Sequence, residues 1–249
     1  MTVFEGSDVF GSGFGRGDVN PAILQRLSER HKRIVDANRE YFEGKRVLDL
    51  GSHNGRWTYA ALKAGASFAL GIEGRGELID NGMAEFKDYG QDRVQFAQGN
   101  VYDAVSICSS LGYEIFDTVL CRGLIYHVSD HYRLLRVMRA FNPNAIIIDG
   151  SFVKDAKPLV RFKVEDANDP AMGLGEGETG KAIAGVASLG LLRRACEISG
   201  YVPNEVPWRA EDTEYPDPVK DYLDDSRNAK RYTFCLTARP DKPHWTTVD

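Results

Sequence analysis

The segment Val47-Leu48-Asp49-Leu50-Gly51-Ser52-His53-Asn54-Gly55-Arg56-Trp57, followed eighteen residues after Gly55 by Glu73, constrains this chain more than any other. Its apolar start reads as a buried strand, and a turn bounded by two glycines then opens an amphipathic helix. Glycines at such a turn let the backbone pass close to a ligand that a Cβ would exclude. Phe68 to Glu73 reads as a second short strand. A carboxylate at the end of that strand sits where a nucleotide ribose presents its hydroxyls, and it can accept two hydrogen bonds. The pattern predicts a nucleoside-binding α/β domain.

The dinucleotide fingerprint spaces its glycines as G-x-G-x-x-G, because a pyrophosphate must lie on the helix N-terminus. Here His53 takes the place of the middle glycine and Trp57 stands beyond the last, which leaves poor room for a pyrophosphate. Asp49, two residues before Gly51, suits a cationic ligand. The segment resembles motif I of the class I S-adenosylmethionine-dependent methyltransferases, usually hydrophobic-Asp-x-Gly-x-Gly-x-Gly, with His53 as the departure. The resemblance continues along the chain. A helix is expected over Glu77 to Tyr89 and a strand over Arg93 to Ala97, ending in Gln98-Gly99-Asn100-Val101-Tyr102-Asp103. In the family this strand end supplies a polar side chain for the adenine amino group, and the next backbone N–H meets a ring nitrogen. Asn100 and Val101 match those positions, and an amide oxygen can still accept from an amine where Asp is more usual. Ile115 to Cys121 reads as a fourth strand. It runs into Arg122-Gly123-Leu124-Ile125-Tyr126-His127-Val128-Ser129-Asp130, similar to the family's loop after strand four. Ala145 to Asp149 follows as a buried fifth strand, and Ser188 to Trp208 supplies a second matching stretch.

The resemblance implies an α/β fold: a seven-stranded, mostly parallel Rossmann-like methyltransferase sheet with helices on both faces and its last strand antiparallel. It implies S-adenosylmethionine as cofactor and S-adenosylhomocysteine as product. The implied cofactor contacts are Asp49, Gly51, Ser52, His53, Gly55, Trp57, Glu73, Asn100, Val101 and Arg122.

A chain of 249 residues suffices for one enlarged α/β domain. The expected division is a flap and helix over 1–44, then a methyltransferase domain over 45–249 with rim insertions near 151–187 and 209–229. Residues 1–19 are glycine-rich, with Phe4, Phe10 and Phe14 interspersed, and read either as a loose leader or as a flap whose aromatics dock over the ligand. Asn20 is a capable N-cap and Pro21 suits the first helical position, and Ile23, Leu24, Leu27, Ile34 and Val35 form an apolar stripe. Leu159 to Val164 alternates as an added strand. Asp166 to Gly180 reads as a loop at the sheet's C-terminal edge, either an acceptor-binding lid or a tolerated insertion. Ser188 caps a helix from Leu189 to Ser199, Tyr201 to Val206 is a strand, and Arg231 to Ala238 makes the last one.

The net charge of -5 argues against a nucleic-acid partner, which normally demands a basic surface. Cys108, Cys121, Cys196 and Cys235 form no C-x-x-C pair and read as reduced, buried thiols. No apolar run reaches membrane-spanning length and no basic-then-apolar leader opens the chain, so a soluble, cytoplasmic protein is expected, with no membrane partner and a homo-oligomer left open.

Methyl transfer from a sulfonium needs an aligned acceptor and often a proton acceptor. Both belong at the C-terminal ends of strands four and five, which selects Tyr126, His127 and Asp149 as catalytic candidates, with Arg122, Asp130 and His131 nearby. His127 reads either as the general base or as a shaper of the cofactor pocket. Tyr126 either closes over a ligand or packs. A two-histidine metal site at His127 and His131 lacks its partner carboxylate, because Cys121-Arg122 stands there and Gly150 follows Asp149; no metal is expected. The leading expectation is methylation of a small-molecule acceptor at a hydroxyl, on a sugar or natural-product intermediate. The alternatives are a non-catalytic S-adenosylmethionine-binding protein, a tRNA-modifying enzyme of the same fold, and a nicotinamide-dependent Rossmann oxidoreductase.

Overall fold

The computed structural model describes residues 3–11, 20–169, 172–174 and 179–240. Phe14 and part of the loop expected over Asp166 to Gly180 lie outside the described residues. Two short N-terminal pieces, α1 (Asp8–Gly11) and α2 (Pro21–Ile34), precede β1 (Arg46–Leu50), α3 (Arg56–Lys63), β2 (Phe68–Glu73), α4 (Gly76–Gly82) and β3 (Val94–Gln98). There follow α5 (Ala104–Ser110), β4 (Thr118–Arg122), α6 (His131–Ala140), β5 (Ala145–Val153), β6 (Val160–Asp166) and β7 (Lys181–Ala187). The chain then forms α7 (Leu189–Ser199), β8 (Tyr201–Val206), α8 (Lys220–Leu223) and β9 (Ala229–Ala238).

Seven strands make one sheet in the order β3-β2-β1-β4-β5-β9-β8. β1 to β5 pair in parallel, and β9 inserts antiparallel between β5 and β8. The sequence pattern dictates both faces. Leu48, Leu50, Leu70, Ile72, Val119, Ile146 and Ile148 bury one side against α5, α6 and α7. Val47, Ala69, Leu120, Ala145 and Ile147 bury the other against α2, α3 and Phe86. Strands covered on both faces read as continuous apolar runs, and these do. All four cysteines are free and buried, and burial pushes each thiol up to about 12. No helix among the described residues is long and apolar enough to cross a membrane.

Three features depart from the sequence-based expectation. The helix expected over Glu77 to Tyr89 stops at Gly82 and continues as a 3-10 turn over Met83–Phe86. Gly82 abuts the turn after β1 so closely that a Cβ would lie 1.9 Å from the Asn54 carbonyl oxygen. The fourth strand begins at Thr118 rather than Ile115, because the Asp117 carboxylate turns aside to accept the Arg46 N–H at 2.8 Å. β7 was unexpected. Its sequence, KAIAGVA, lacks the β-branched density of a strand, yet it pairs antiparallel with β6 across seven residue pairs as a separate two-stranded sheet.

At the N-terminus, Phe4 and Phe10 are fully buried and meet Trp57, Tyr59 and Phe86 edge-on or tilted. They pack on the α3 face of the sheet and do not line the ligand cavity. Phe4 and Phe10 therefore wedge α3 from behind.

Candidate active site

A cavity of about 380 Å³ opens at the C-terminal edge of β1 to β4, within the range typical of small-molecule sites. The turn after β1 forms its floor. Gly51, His53 and Gly55 all adopt the left-handed conformation, with φ of 69°, 56° and 75°. That curls the backbone tightly enough for the His53 N–H to reach Glu73 Oε2 at 2.9 Å. The other oxygen, Oε1, accepts from the Arg75 N–H at 3.1 Å. Each carboxylate oxygen retains a further acceptor site, so Glu73 is fixed in orientation and still able to bind hydroxyls. Burial, followed by the charges of Arg122 and Arg56, lowers the His53 imidazole to about 4, so it is neutral at ordinary pH.

Of the expected cofactor contacts, Gly51, His53, Glu73, Asn100, Val101 and Arg122 line the cavity. Asn100 Oδ1 caps the next turn by accepting from the Tyr102 N–H at 3.0 Å. Asp49, Ser52, Gly55 and Trp57 do not line the cavity. Asp49 lies fully buried beneath the turn and accepts from Thr58 Oγ1 at 2.8 Å; its other oxygen has no hydrogen-bond partner among the described residues. Burial raises its pKa against the opposing pull of Arg122. Gly55 is needed where it stands, since a Cβ would meet Phe96 at 2.7 Å and Phe86 at 2.9 Å. Asn54, not expected from the sequence, lines the cavity, and its buried Nδ2 has no hydrogen-bond partner among the described residues. A glycine cradle, an oriented carboxylate and an orphaned amide donor together fit a nucleoside-bearing ligand.

His127 and Tyr126 line the cavity at its other end. His127 Nδ1 lies 2.8 Å and 2.9 Å from the two oxygens of Glu165, a buried residue of β6. Glu165 in turn accepts from Lys163 Nζ at 2.6 Å and from the Gly173 N–H at 2.9 Å. Burial pushes the Glu165 carboxyl up, but hydrogen bonds from Lys163, Gly173 and His127 outweigh it and hold it below its usual range. Burial lowers the His127 imidazole although Glu165 pulls the other way. A carboxylate accepting from Nδ1–H leaves Nε2 as the proton-accepting nitrogen. His131, four residues on, lines a different cavity and pairs through Nε2 with the Gly185 carbonyl at 3.0 Å, which pins β7 to the start of α6.

Asp149 sits behind the wall as the hub of an ion network. It is fully buried, and accepts from Arg30, from Arg231 Nη2 at 2.9 Å, from the Tyr222 hydroxyl at 2.8 Å and from Thr233 Oγ1 at 2.9 Å. Burial opposes its ionisation, but Arg30 and Arg231 beside it hold the carboxyl well below the usual range. Arg231 also donates to the Tyr126 hydroxyl at 2.8 Å. Gly150 follows because a Cβ there would lie 2.2 Å from Ile125.

Sequence reasoning missed Glu165, Arg30, Arg231, Arg26, Arg56 and Arg75. Arg30 left a signal, because it continues the Ile23 and Leu27 stripe of α2 at a position that helical spacing turns inward. Arg231 left another, lying on the face of β9 opposite Tyr232, Phe234 and Leu236. Nothing in the spacing joins Glu165 to a histidine 38 residues earlier.

Residues 42–184 match a family model described as a methyltransferase domain. A tRNA U34 carboxymethyltransferase of Dichelobacter nodosus (strain VCS1703A) is 31% identical over 128 residues, 51% of this chain and 37% of the relative. The chain thus spans well under half the length of that relative. Among solved structures, the N-terminal domain of EvdMO1, crystallised in the presence of SAH and D-fucose, superposes with a TM-score of 0.61 at 21% identity. That superposition covers 85% of this chain and 82% of that one. A methyltransferase from Mesorhizobium loti superposes with a TM-score of 0.57 at 16% identity, covering 81% and 96%. Both likenesses are of fold.

Proposed function

The chain belongs to the class I methyltransferases, and on that premise we propose that it transfers a methyl group from S-adenosylmethionine to a hydroxyl of a small-molecule acceptor. The observation that carries the proposal is the single cavity wall joining the Gly51 turn and Glu73 at one end to the His127–Glu165 pair at the other. The glycine turn, Glu73, Asn54, Asn100 and Val101 hold the donor. The donor supplies an electrophilic methyl group made reactive by the positive charge on sulfur.

This chain's residues do the rest. Glu165 holds the His127 ring so that Nε2 faces the acceptor hydroxyl and takes its proton as the oxygen attacks. Lys163 and Gly173 fix Glu165, and the β6–β7 hairpin helps exclude water. Removal of a proton by a positioned imidazole contributes about 10²–10⁴ in rate.

A second reading is supported by the tRNA U34 carboxymethyltransferase relative and by the arginines on the cavity wall. In it, the transferred carbon bears a carboxylate and the acceptor is tRNA. The net charge of -5 weighs against the nucleic-acid half of that reading.

The first test is calorimetric titration with S-adenosylmethionine, S-adenosylhomocysteine and NADH in parallel. Micromolar binding of the first two and none of NADH is expected. Tight NADH binding without a response to the sulfonium would overturn the proposal.

A further inference from the structure

The β6–β7 hairpin is inside out. A strand with one wet face ordinarily turns its apolar side chains inward and its polar ones to water. In β6, Val160-Arg161-Phe162-Lys163-Val164-Glu165-Asp166, side chains alternate between two faces. The charged Glu165 is the buried one, while Phe162 and Val164 are 61% and 71% exposed. The ladder sets Val164 directly opposite Ile183 of β7, which is 65% exposed, and Phe162 opposite Gly185. On the other face Glu165, Ala182 and Ala184 are all buried. The inversion has a local cause. Glu165 reaches His127 Nδ1 at 2.8 Å, and the pleat then carries Val164 outward.

An exposed apolar cluster of this kind marks a contact surface, and its place says with what. Ile183 lines the cavity as well as the open face, so it stands at the mouth. Met172 and Leu174 line the same cavity, and Leu174 is itself exposed. Leu174 lies against Gly74, where a Cβ would fall 2.2 Å from its Cδ1. Ile183 follows Ala182, the ladder partner of Glu165, and so sits one residue from the strand position that holds His127. The apolar face therefore begins at the cavity mouth and leads away from it. Ladder spacing makes the run from Ile183 across Val164 to Phe162 roughly 10 Å long. A second copy of the chain is a poor match. A stable protein interface takes about 20–30 residues a side, whereas this face offers three large apolar side chains bounded by the Asp166–Lys181 ion pair.

We infer that Ile183, Val164 and Phe162 form a ledge that seats an apolar arm of the acceptor. The acceptor is then amphipathic, with a hydroxyl reaching His127 inside and a hydrocarbon or ring system lying along the hairpin outside. The ledge rests on the methyltransferase reading and narrows its substrate class. Because the same hairpin carries Glu165, an arm seated on one face backs the carboxylate that holds His127 on the other.

The test titrates protein saturated with S-adenosylhomocysteine with 1,2-butanediol, 1,2-hexanediol and 1,2-octanediol, so that the head is constant and only the arm grows. Full burial tightens binding about fourfold per methylene, and a half-covered arm should gain about twofold for each. Octanediol is therefore expected to bind at least about tenfold tighter than butanediol. V164S and I183S should each weaken octanediol at least about threefold and leave butanediol unchanged. I198S, which alters a similarly exposed apolar side chain on α7, should change neither. An affinity that ignores chain length, or a gain that survives in both V164S and I183S, overturns the ledge; S-adenosylhomocysteine binding leaves the methyltransferase reading standing. Sedimentation of the unmodified protein as a dimer that V164S dissociates would assign the face to a second copy and overturn the ledge as well. Unmodified protein that fails to bind S-adenosylhomocysteine overturns the methyltransferase reading instead.

Discussion

His127 illustrates how much a single neighbour decides. Without Glu165 the imidazole would be one more buried ring with a lowered pKa, free to adopt either tautomer. With Glu165 on Nδ1, the ring is held and its other nitrogen is committed to the cavity. Only the neutral ring accepts a proton, so turnover should hold above the ordinary histidine value of 6.5 and fall as pH drops through the lowered pKa. H127A should lose about two to four orders of magnitude in kcat with donor affinity kept. E165Q removes the charge that helps raise the imidazole pKa and leaves only a neutral amide acceptor on Nδ1. It should cut kcat by about ten- to a hundredfold and move the acid limb of the pH profile to lower pH, a shift that mere loosening of the loop would not produce. An unmoved limb in stopped-time assays across pH would assign Glu165 to the scaffold alone.

At the scale of elements, the meeting of α4 with the turn after β1 is the informative junction. Alanine is the better helix former by about 1 kcal/mol, so G82A should stabilise a free helix. Here the added methyl would strike the Asn54 carbonyl of the ligand-binding turn. G82A is expected to weaken S-adenosylhomocysteine binding at least tenfold and to lower the urea midpoint, both read from one calorimetric and one denaturation series. The same junction shows what a sequence discloses. β1, β2, β5, β8, β9, α2 and α7 were legible because their apolar spacing, caps and glycines act locally. The break at Gly82 was not, since it depends on a contact with a loop 28 residues earlier. β7 was hidden for a related reason: small residues suit it because Ala182 and Ala184 pack inward beside Glu165 and Lys163 across the ladder, and that pairing is known only once the hairpin has closed. For the site, Gly51, His53, Glu73, Asn100, Val101, Arg122, Tyr126 and His127 were legible from motif order. Glu165 and the arginines came from elements whose partners lie far off in sequence.

The molecule as a whole separates its charges. Its net charge is -5, yet the charged side chains lining its cavity are six arginines and one glutamate. Asp149 gathers α2, β9 and α8 onto β5 through Arg30, Arg231 and Tyr222, so the N-terminal helix and the last strand are tied to one buried atom pair. A second chain of contacts runs across the mouth. Glu73 accepts from the Arg75 N–H; the Arg75 side chain holds the carbonyls of Ala167, Met172 and Gly173; the Gly173 N–H holds Glu165; and Glu165 holds His127. Seen as a sequence of events, this is a clock. Whatever settles on Glu73 steadies, at four removes, the ring that must greet the second substrate. Binding is expected to be ordered, the donor entering first and its spent form leaving last, so S-adenosylhomocysteine should inhibit competitively against the donor and noncompetitively against the acceptor. R75A, which cuts the chain at its middle, should let the two arrive in either order.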